Sequence, residues 1–303
     1  MSVAFPEVRV GEPLRYESLS VFPLFTESNG SVDYLLSDEA IGEKLLTVEE
    51  VSESGSVPDL LVENKGEIRV LFIEGEELVG AKQNRILNTS ILIAAKSKTK
   101  VPVSCVEQGR WGYKSKFFGS SGSHSPSKLR YAMKASVTRS VKAKQGHRSD
   151  QGKVWEEVAS LQDAHGVSSA TGAMSDTFDA YEDRIAEFRE KLKPVEGASG
   201  MAVAIGDKIV GCDLFDKPST CRKVWDRMLS GLVFDVLETK ASDKQADASE
   251  VEEMITTTSH ASWEPTNPIG EGEEYRAEFE DGDHASALTF EDSLVHGSVL
   301  SAV

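Results

Sequence analysis

Between residues 17 and 115 the sequence is a succession of short apolar runs: "SLSVFPLF", "DYLLSDEAI", "KLLTVEEV", "PDLLVEN", "IRVLFIEGEEL", "SILIAA" and "KVPVSCVE". Gly, Asn, Pro and Ser separate them. Runs this short, punctuated by turn formers, are strand-like, and several at this spacing predict an antiparallel β-sandwich or barrel-like sheet. Within "NKGEIRVLFIEG", Asn64, Lys65 and Gly66 supply turn chemistry before a run dense enough to be buried on both faces.

The pattern changes after residue 115. "YKSKFFGSSGSHSPSKLR" is a Ser/Gly-rich loop with positive charge. It leads into a helix expected over 126–144, with Ser125 as N-cap, Pro126 in the first turn, and Leu129, Met133, Val137 and Val141 on one face. Lys128, Arg130, Lys134, Arg139, Lys142 and Lys144 are assigned to its surface. Further helices are expected over 150–164 and 176–192, opened by Ser149 and Ser175. "MAVAIGDKIVGCDLF" reads as a hairpin around Gly206 and Asp207, and the following segment as a helix with Ser219 as N-cap. "SALTFEDSLVHGSVL" repeats the hairpin pattern with Asp292 in the place of Asp207, so the two hairpins could share a sheet. The expected class is α+β: an N-terminal antiparallel β-sandwich or barrel-like sheet, then helices and a second, hairpin-containing sheet. The divisions are a β-rich region 1–115, a basic loop, helices and a hairpin/helix unit over 116–238, a mobile acidic connector 239–253, and a C-terminal hairpin 254–303 completing the second sheet.

Composition bounds the class. With 303 residues, 39% hydrophobic and 27% charged, the chain can bury a substantial core. No run approaches the roughly 18 apolar residues of a membrane span, and the N-terminus lacks signal-peptide character, so a soluble cytoplasmic protein is expected. Cys105, Cys212 and Cys221 have no metal or disulfide spacing and are read as reduced. A net charge of −17 disfavours general nucleic-acid binding, yet residues 82–148 hold fifteen Lys or Arg against Glu107 alone. That segregation requires either an anionic ligand or neutralisation by the sixteen acids of residues 238–303.

The strongest polar constellation joins "EGEELVGAKQNRILNTS" (74–90) to "VPVSCVEQGRWGY" (101–113). If the adjoining strands are neighbours, Glu76, Lys82, Gln83, Asn84 and Arg85 meet Glu107, Gln108, Arg110 and Trp111 at one end of a sheet. Glu76 and Glu107 are then candidate acid–base residues. Lys82, Gln83, Asn84, Arg85, Gln108 and Arg110 are candidates for gripping phosphate or sugar hydroxyls, and Trp111 for stacking on a base. The same groups could instead satisfy one another as a buried network closing the sheet. Other signals are weaker: "GSSGSHS" resembles a phosphate loop only in composition; Asp150, Gln151 and Asp176 sit where acids and amides cap helices; Asp213 and Asp216 fit a turn; and Cys105 reads as a buried thiol rather than a nucleophile. His124 and His147 are read as solvated surface histidines that could touch phosphate. No histidine spacing suggests a metal, and no metal or cofactor is expected.

The blocks "VFPLF", "GSVPDLLVEN", "GEELVGAKQNRILNTS", "VPVSCVEQGRWGY", "SDQGKVW", "TGAMSDTF" and "AIGDKIVGCDLFD", in this order from about residue 18 onward, resemble the family called the ARG and Rhodanese-Phosphatase-superfamily-associated protein domain. The resemblance implies an association with ADP-ribosylglycohydrolases and rhodanese-like phosphatases, and hence work on NAD-derived or ADP-ribosylated metabolites. It carries over no catalytic residues. The expected function is binding or processing of a phosphorylated, ADP-ribose-like small molecule. The alternative is a non-enzymatic scaffold whose helix 126–144 binds RNA or an acidic partner.

Overall fold

The computed structural model describes residues 3, 5–27, 30–239 and 244–302. Its short apolar runs form strands in three sheets, and the class is α+β, with a sheet-rich N-terminal part followed by helices and a hairpin-containing sheet. One sheet has six antiparallel strands in the order Phe118–His124, Glu76–Gly80, Arg85–Leu87, Ser97–Cys105, Asp59–Asn64 and Leu46–Glu50. A three-stranded sheet of Ile91–Ile93, Arg69–Phe72 and Tyr34–Leu36 shares its apolar core, including Val48, Val62, Phe72 and Val101. The turn before Arg69 forms as its residues dictate: Asn64 Oδ1 accepts from Gly66 N at 2.9 Å, and Asn64 Nδ2 donates to Ile68 O at 2.9 Å.

The region 1–115 does not form one unit. Val8–Val10, Leu14–Tyr16 and Leu19–Thr26 belong to a nine-stranded sheet with Gly200–Ile205, Lys208–Phe215, Ser293–Leu300, His284–Phe290, Glu273–Glu278 and Glu264–Thr266. The two look-alike hairpins lie side by side there, through pairing of Lys208–Phe215 with Ser293–Leu300. Gly206 (φ 62°) turns the first, and Glu291 and Asp292 (φ 48° and 62°) turn the second. Both faces of this sheet are covered. Met201, Val203 and Ile205 enter a core with the helices, whereas Ala202 and Ala204 face Val251 and Trp263 on the other side. A continuous apolar run is the sequence such a doubly covered strand requires.

The helices are Ser37–Gly42, Ser127–Lys142, Gln151–Ala164, Met174–Ala180, Glu182–Lys191, Pro218–Glu238 and Ala248–Ser259. Their starts depart from the serine expectations. Ser125 Oγ donates to Gly75 O at 2.8 Å, and the first turn of Ser127–Lys142 is held by Asp235, which accepts Ser127 N–H at 2.8 Å. Asp150, not Ser149, caps Gln151–Ala164 by accepting Lys153 N–H. The segment 176–192 is two helices broken at Tyr181, and Lys217 with Pro218 opens the long helix. That helix is fully buried at Gly231, where a Cβ would come within 2.5 Å of His124 O, so a side chain there would push the helix off the strand Phe118–His124. The "GSSGSHS" segment is part of that edge strand rather than a phosphate loop.

The stretch 239–253 is not simply a connector. Residues 240–243 lie outside the described residues, but Asp247 caps the helix Ala248–Ser259 with Glu250 in a reciprocal capping box. Ala246 and Val251 are buried in the second core, and Ala246 N–H donates to Gly206 O at 2.9 Å.

Candidate functional site

Every residue of "EGEELVGAKQNRILNTS" except Val79 is buried. Charged groups placed there must find partners, because burying an unpaired charge is expensive. They find them in different places. Glu76 accepts from Ser37 Oγ and from Ile73 N–H at 3.0 Å, and pairs with Arg227 at 3.2 Å. Burial pushes its carboxyl pKa up, partly opposed by Arg227. Glu107 instead accepts from Arg110 Nε at 2.7 Å and Nη2 at 2.6 Å, from Asn84 N–H at 2.9 Å and from Thr171 Oγ1 at 2.9 Å. Burial works against ionisation of Glu107, but these donors hold its pKa below the usual range. The expected Glu76–Glu107 pair therefore shares no partner, and Glu76 does not belong to this site. The next residue, Glu77, is buried as well, and neither of its carboxyl oxygens has a hydrogen-bond partner among the described residues.

The other residues do converge. Gln83 Nε2 donates to Glu107 O at 2.9 Å, and Asn84 Nδ2 donates to Ser175 Oγ at 3.1 Å. Arg110 is saturated within the chain: besides Glu107, it donates to Ala81 O at 2.6 Å, Gly112 O at 2.9 Å, Gly80 O at 3.1 Å and Asn84 Oδ1 at 3.2 Å. Its guanidinium clamps the loop and has no donor left for a phosphate. Arg110→Lys should lower the melting temperature, since an ammonium cannot reproduce the fork, a change thermal denaturation would detect. Gln108 is exposed and meets the cluster through its carbonyl.

Arg85 is different. It is completely buried, opposite Cys105 in the strand register, and Nη1 donates to Gln83 O at 3.0 Å. Its Nε and Nη2 have no hydrogen-bond partner among the described residues; Glu50 stands 4.0 Å from Nη2 and the Trp111 ring centroid 5.9 Å from Cζ. Burial pushes the guanidinium pKa down and the Cys105 thiol pKa up.

Beside this cluster lies a groove of about 630 Å³ whose lining includes Glu49, Glu50, Glu53, Tyr113, Lys114 and Lys116. Trp111 and Tyr113 are 49% and 56% exposed, large values for such rings, and Lys82 Nζ stands 5.2 and 5.1 Å from their centroids. Lys82 Nζ also donates to Glu53 O at 2.5 Å. Gly55, at φ 77°, leaves room for this arrangement, since a Cβ would sit 3.1 Å from the Trp111 ring and 3.2 Å from the Lys82 side chain. The sequence reading missed Glu50, Glu53, Tyr113, Lys114 and Lys116; the alternation of rings and cations in "RWGYKSKFF" was the available signal.

A family model described as the ARG and Rhodanese-Phosphatase-superfamily-associated protein domain matches residues 7–300. The chain belongs to this family. No curated protein and no solved structure matches it. In this family member the basic segment is largely taken up by the chain itself. Arg130 and Lys134, expected on the helix surface, are buried against Asp213 and Glu74. Lys128 pairs with Glu238, and Lys142 with Glu264 and Glu278. His124 and His147 are buried as well, His147 on Glu274 at 2.6 Å. No described helix of this family domain is long and apolar enough to cross a membrane. No group of three or more His, Cys, Asp or Glu among the described residues could hold a metal ion.

Proposed function

We propose that the groove beside Lys82, Trp111 and Tyr113 binds a phosphorylated, ADP-ribose-like nucleotide. The observation that carries this reading is the joint placement of two half-exposed rings and an ammonium at the edge of a groove lined by Lys114 and Lys116, neither of which makes an ion pair among the described residues. A base stacks on such rings, contributing about 1–3 kcal/mol, and ammonium groups receive phosphate. Carboxylates of Glu50 and Glu53 are suitable acceptors for ribose hydroxyls. The family's association with ADP-ribose-related enzymes agrees with this ligand class. The alternative, RNA or an acidic partner on the helix Ser127–Lys142, loses support because that helix spends most of its cations internally.

Calorimetry with ADP-ribose, NAD and AMP tests the reading. Trp111→Ala should weaken binding by at least about tenfold, a loss of 1.4 kcal/mol, and the double substitution Lys114→Ala with Lys116→Ala by a similar factor. Lys142→Ala, whose ammonium is paired with Glu278, should bind as wild type. If none of the three ligands binds below about 1 mM, equivalent to roughly 4 kcal/mol, the reading is wrong.

A further inference from the structure

The groove is not uniformly basic. Glu49, Glu50 and Glu53 form one part of its lining, and Lys114 and Lys116 another. A nucleotide with a neutral base and a phosphate dianion answers the lysines and leaves the carboxylates opposed to its charge. Among those acids Glu50 is distinctive: its side chain is only 2% exposed. One of its oxygens accepts Lys82 N–H at 3.3 Å and stands 4.0 Å from Arg85 Nη2, and the other, buried, has no hydrogen-bond partner among the described residues. A buried carboxylate oxygen left this way is costly unless a cation or donor meets it.

The rings point the same way. Trp111 and Tyr113 already flank a cation, the Lys82 ammonium, at distances typical of cation–π attraction. Their faces carry negative potential, and the backbone carbonyl of Glu53 adds to it by accepting from the same ammonium. Lys82 ends on a flexible stem, so it can leave this place to another cation.

Resting on the nucleotide reading above, we infer that the groove is built for a zwitterionic nucleotide carrying a cationic aromatic ring together with its phosphate, an N-ribosylpyridinium nucleotide being the simplest of that class. The cationic ring replaces the Lys82 ammonium between Trp111 and Tyr113 and faces Glu50, while the phosphate lies toward Lys114 and Lys116. In the absence of ligand, Lys82 occupies the ring's place. No covalent step is involved.

The test compares nicotinamide mononucleotide with its reduced dihydro form, which has nearly the same shape but an uncharged ring, and with AMP and ADP-ribose, by calorimetry. The oxidised form should bind at least tenfold tighter than the dihydro form. Glu53→Gln, an exposed change that leaves the backbone contact in place, should reduce that ratio, and Glu50→Gln should reduce it further. Lys82→Met, which removes the competing cation, should tighten the oxidised form selectively. Equal affinity for the two redox forms, or a ratio unmoved by both glutamate substitutions, overturns the inference. Binding of AMP and ADP-ribose without nicotinamide mononucleotide overturns it while leaving the nucleotide reading intact. Failure of all four ligands removes both.

Discussion

Glu74→Ala is expected to destabilise the protein by about 3–5 kcal/mol, the typical effect of breaking a buried ion pair by deleting one partner. Glu74 joins three elements at once. It lies 2.7 Å from Lys134 and 3.5 Å from Arg130 of the helix Ser127–Lys142, and it accepts from Ser298 Oγ at 2.8 Å. Arg130 continues the chain to Asp213 at 2.7 and 2.9 Å, and Asp213 meets His296 Nε2 at 3.1 Å. Burial resists ionisation of Glu74, but Lys134 and Arg130 outweigh it and hold the pKa at about 2. Since this value is depressed, the contribution is complete above the unfolded value near 4.5 and is lost as pH falls from there toward 2. Removing the carboxylate leaves Lys134, 1% exposed, without its counter-charge. A melting temperature lower by roughly 10 °C is the expected reading. Glu74→Met combined with Lys134→Met should recover much of the loss, because replacing both partners removes the uncompensated charge. Ser286 and Ser298, 3.4 Å apart, then turn to each other. A single variant that melts with wild type would show that the network adds nothing to stability.

This network also shows where sequence reasoning stopped. The i, i+4 spacing of Leu129, Met133 and Val137 made the helix legible, and those side chains are buried as the period requires. Arg130 and Lys134 have the same spacing one position later, but hydropathy assigned them to water. Their burial depends on Asp213 and Glu74, which lie 83 and 60 residues or so away along the chain, and no local pattern reports such a partner. The same holds for the sheets. Individual strands were readable from their runs, whereas the pairing of Leu19–Thr26 with Gly200–Ile205 was not, because register is fixed by two distant apolar faces fitting together. At the candidate site, Glu107 and Arg110 are three residues apart and their proximity was legible. Glu50 arrives from a strand at the far edge of the six-stranded sheet and had no signal linking it to Arg85. The Glu76–Glu77 doublet was ambiguous for a simpler reason: which side of the sheet each of two adjacent residues faces depends on the strand's phase, and the structure pairs Glu76 with Arg227 rather than with the Glu107 cluster.

Glu77 leads to the last expectation. It is fully buried on the strand Glu76–Gly80, and among the described residues neither carboxyl oxygen has a sound hydrogen bond; Ser121 is near enough only to soften the cost. Burial pushes the pKa up to about 8, with repulsion from Asp179, Glu107 and Asp176 added to it. The sign follows from which state holds the proton. Below pH 4.5 both folded and unfolded chains carry it and there is no penalty. From 4.5 up to about 8 the unfolded chain ionises while the folded one stays protonated, so stability falls by about 1.4 kcal/mol per pH unit, and above 8 the loss is complete. The total is of the order of 4–5 kcal/mol. Glu77→Gln keeps the shape of the protonated acid and cannot ionise. The variant should therefore melt close to wild type at pH 4.5 and well above it at pH 8.5, with the gap opening between those values. Denaturant unfolding of both proteins across this range measures it. A gap that does not change with pH would mean that Glu77 ionises in the folded protein as it does in the unfolded chain, and the neutral buried acid would have to be abandoned.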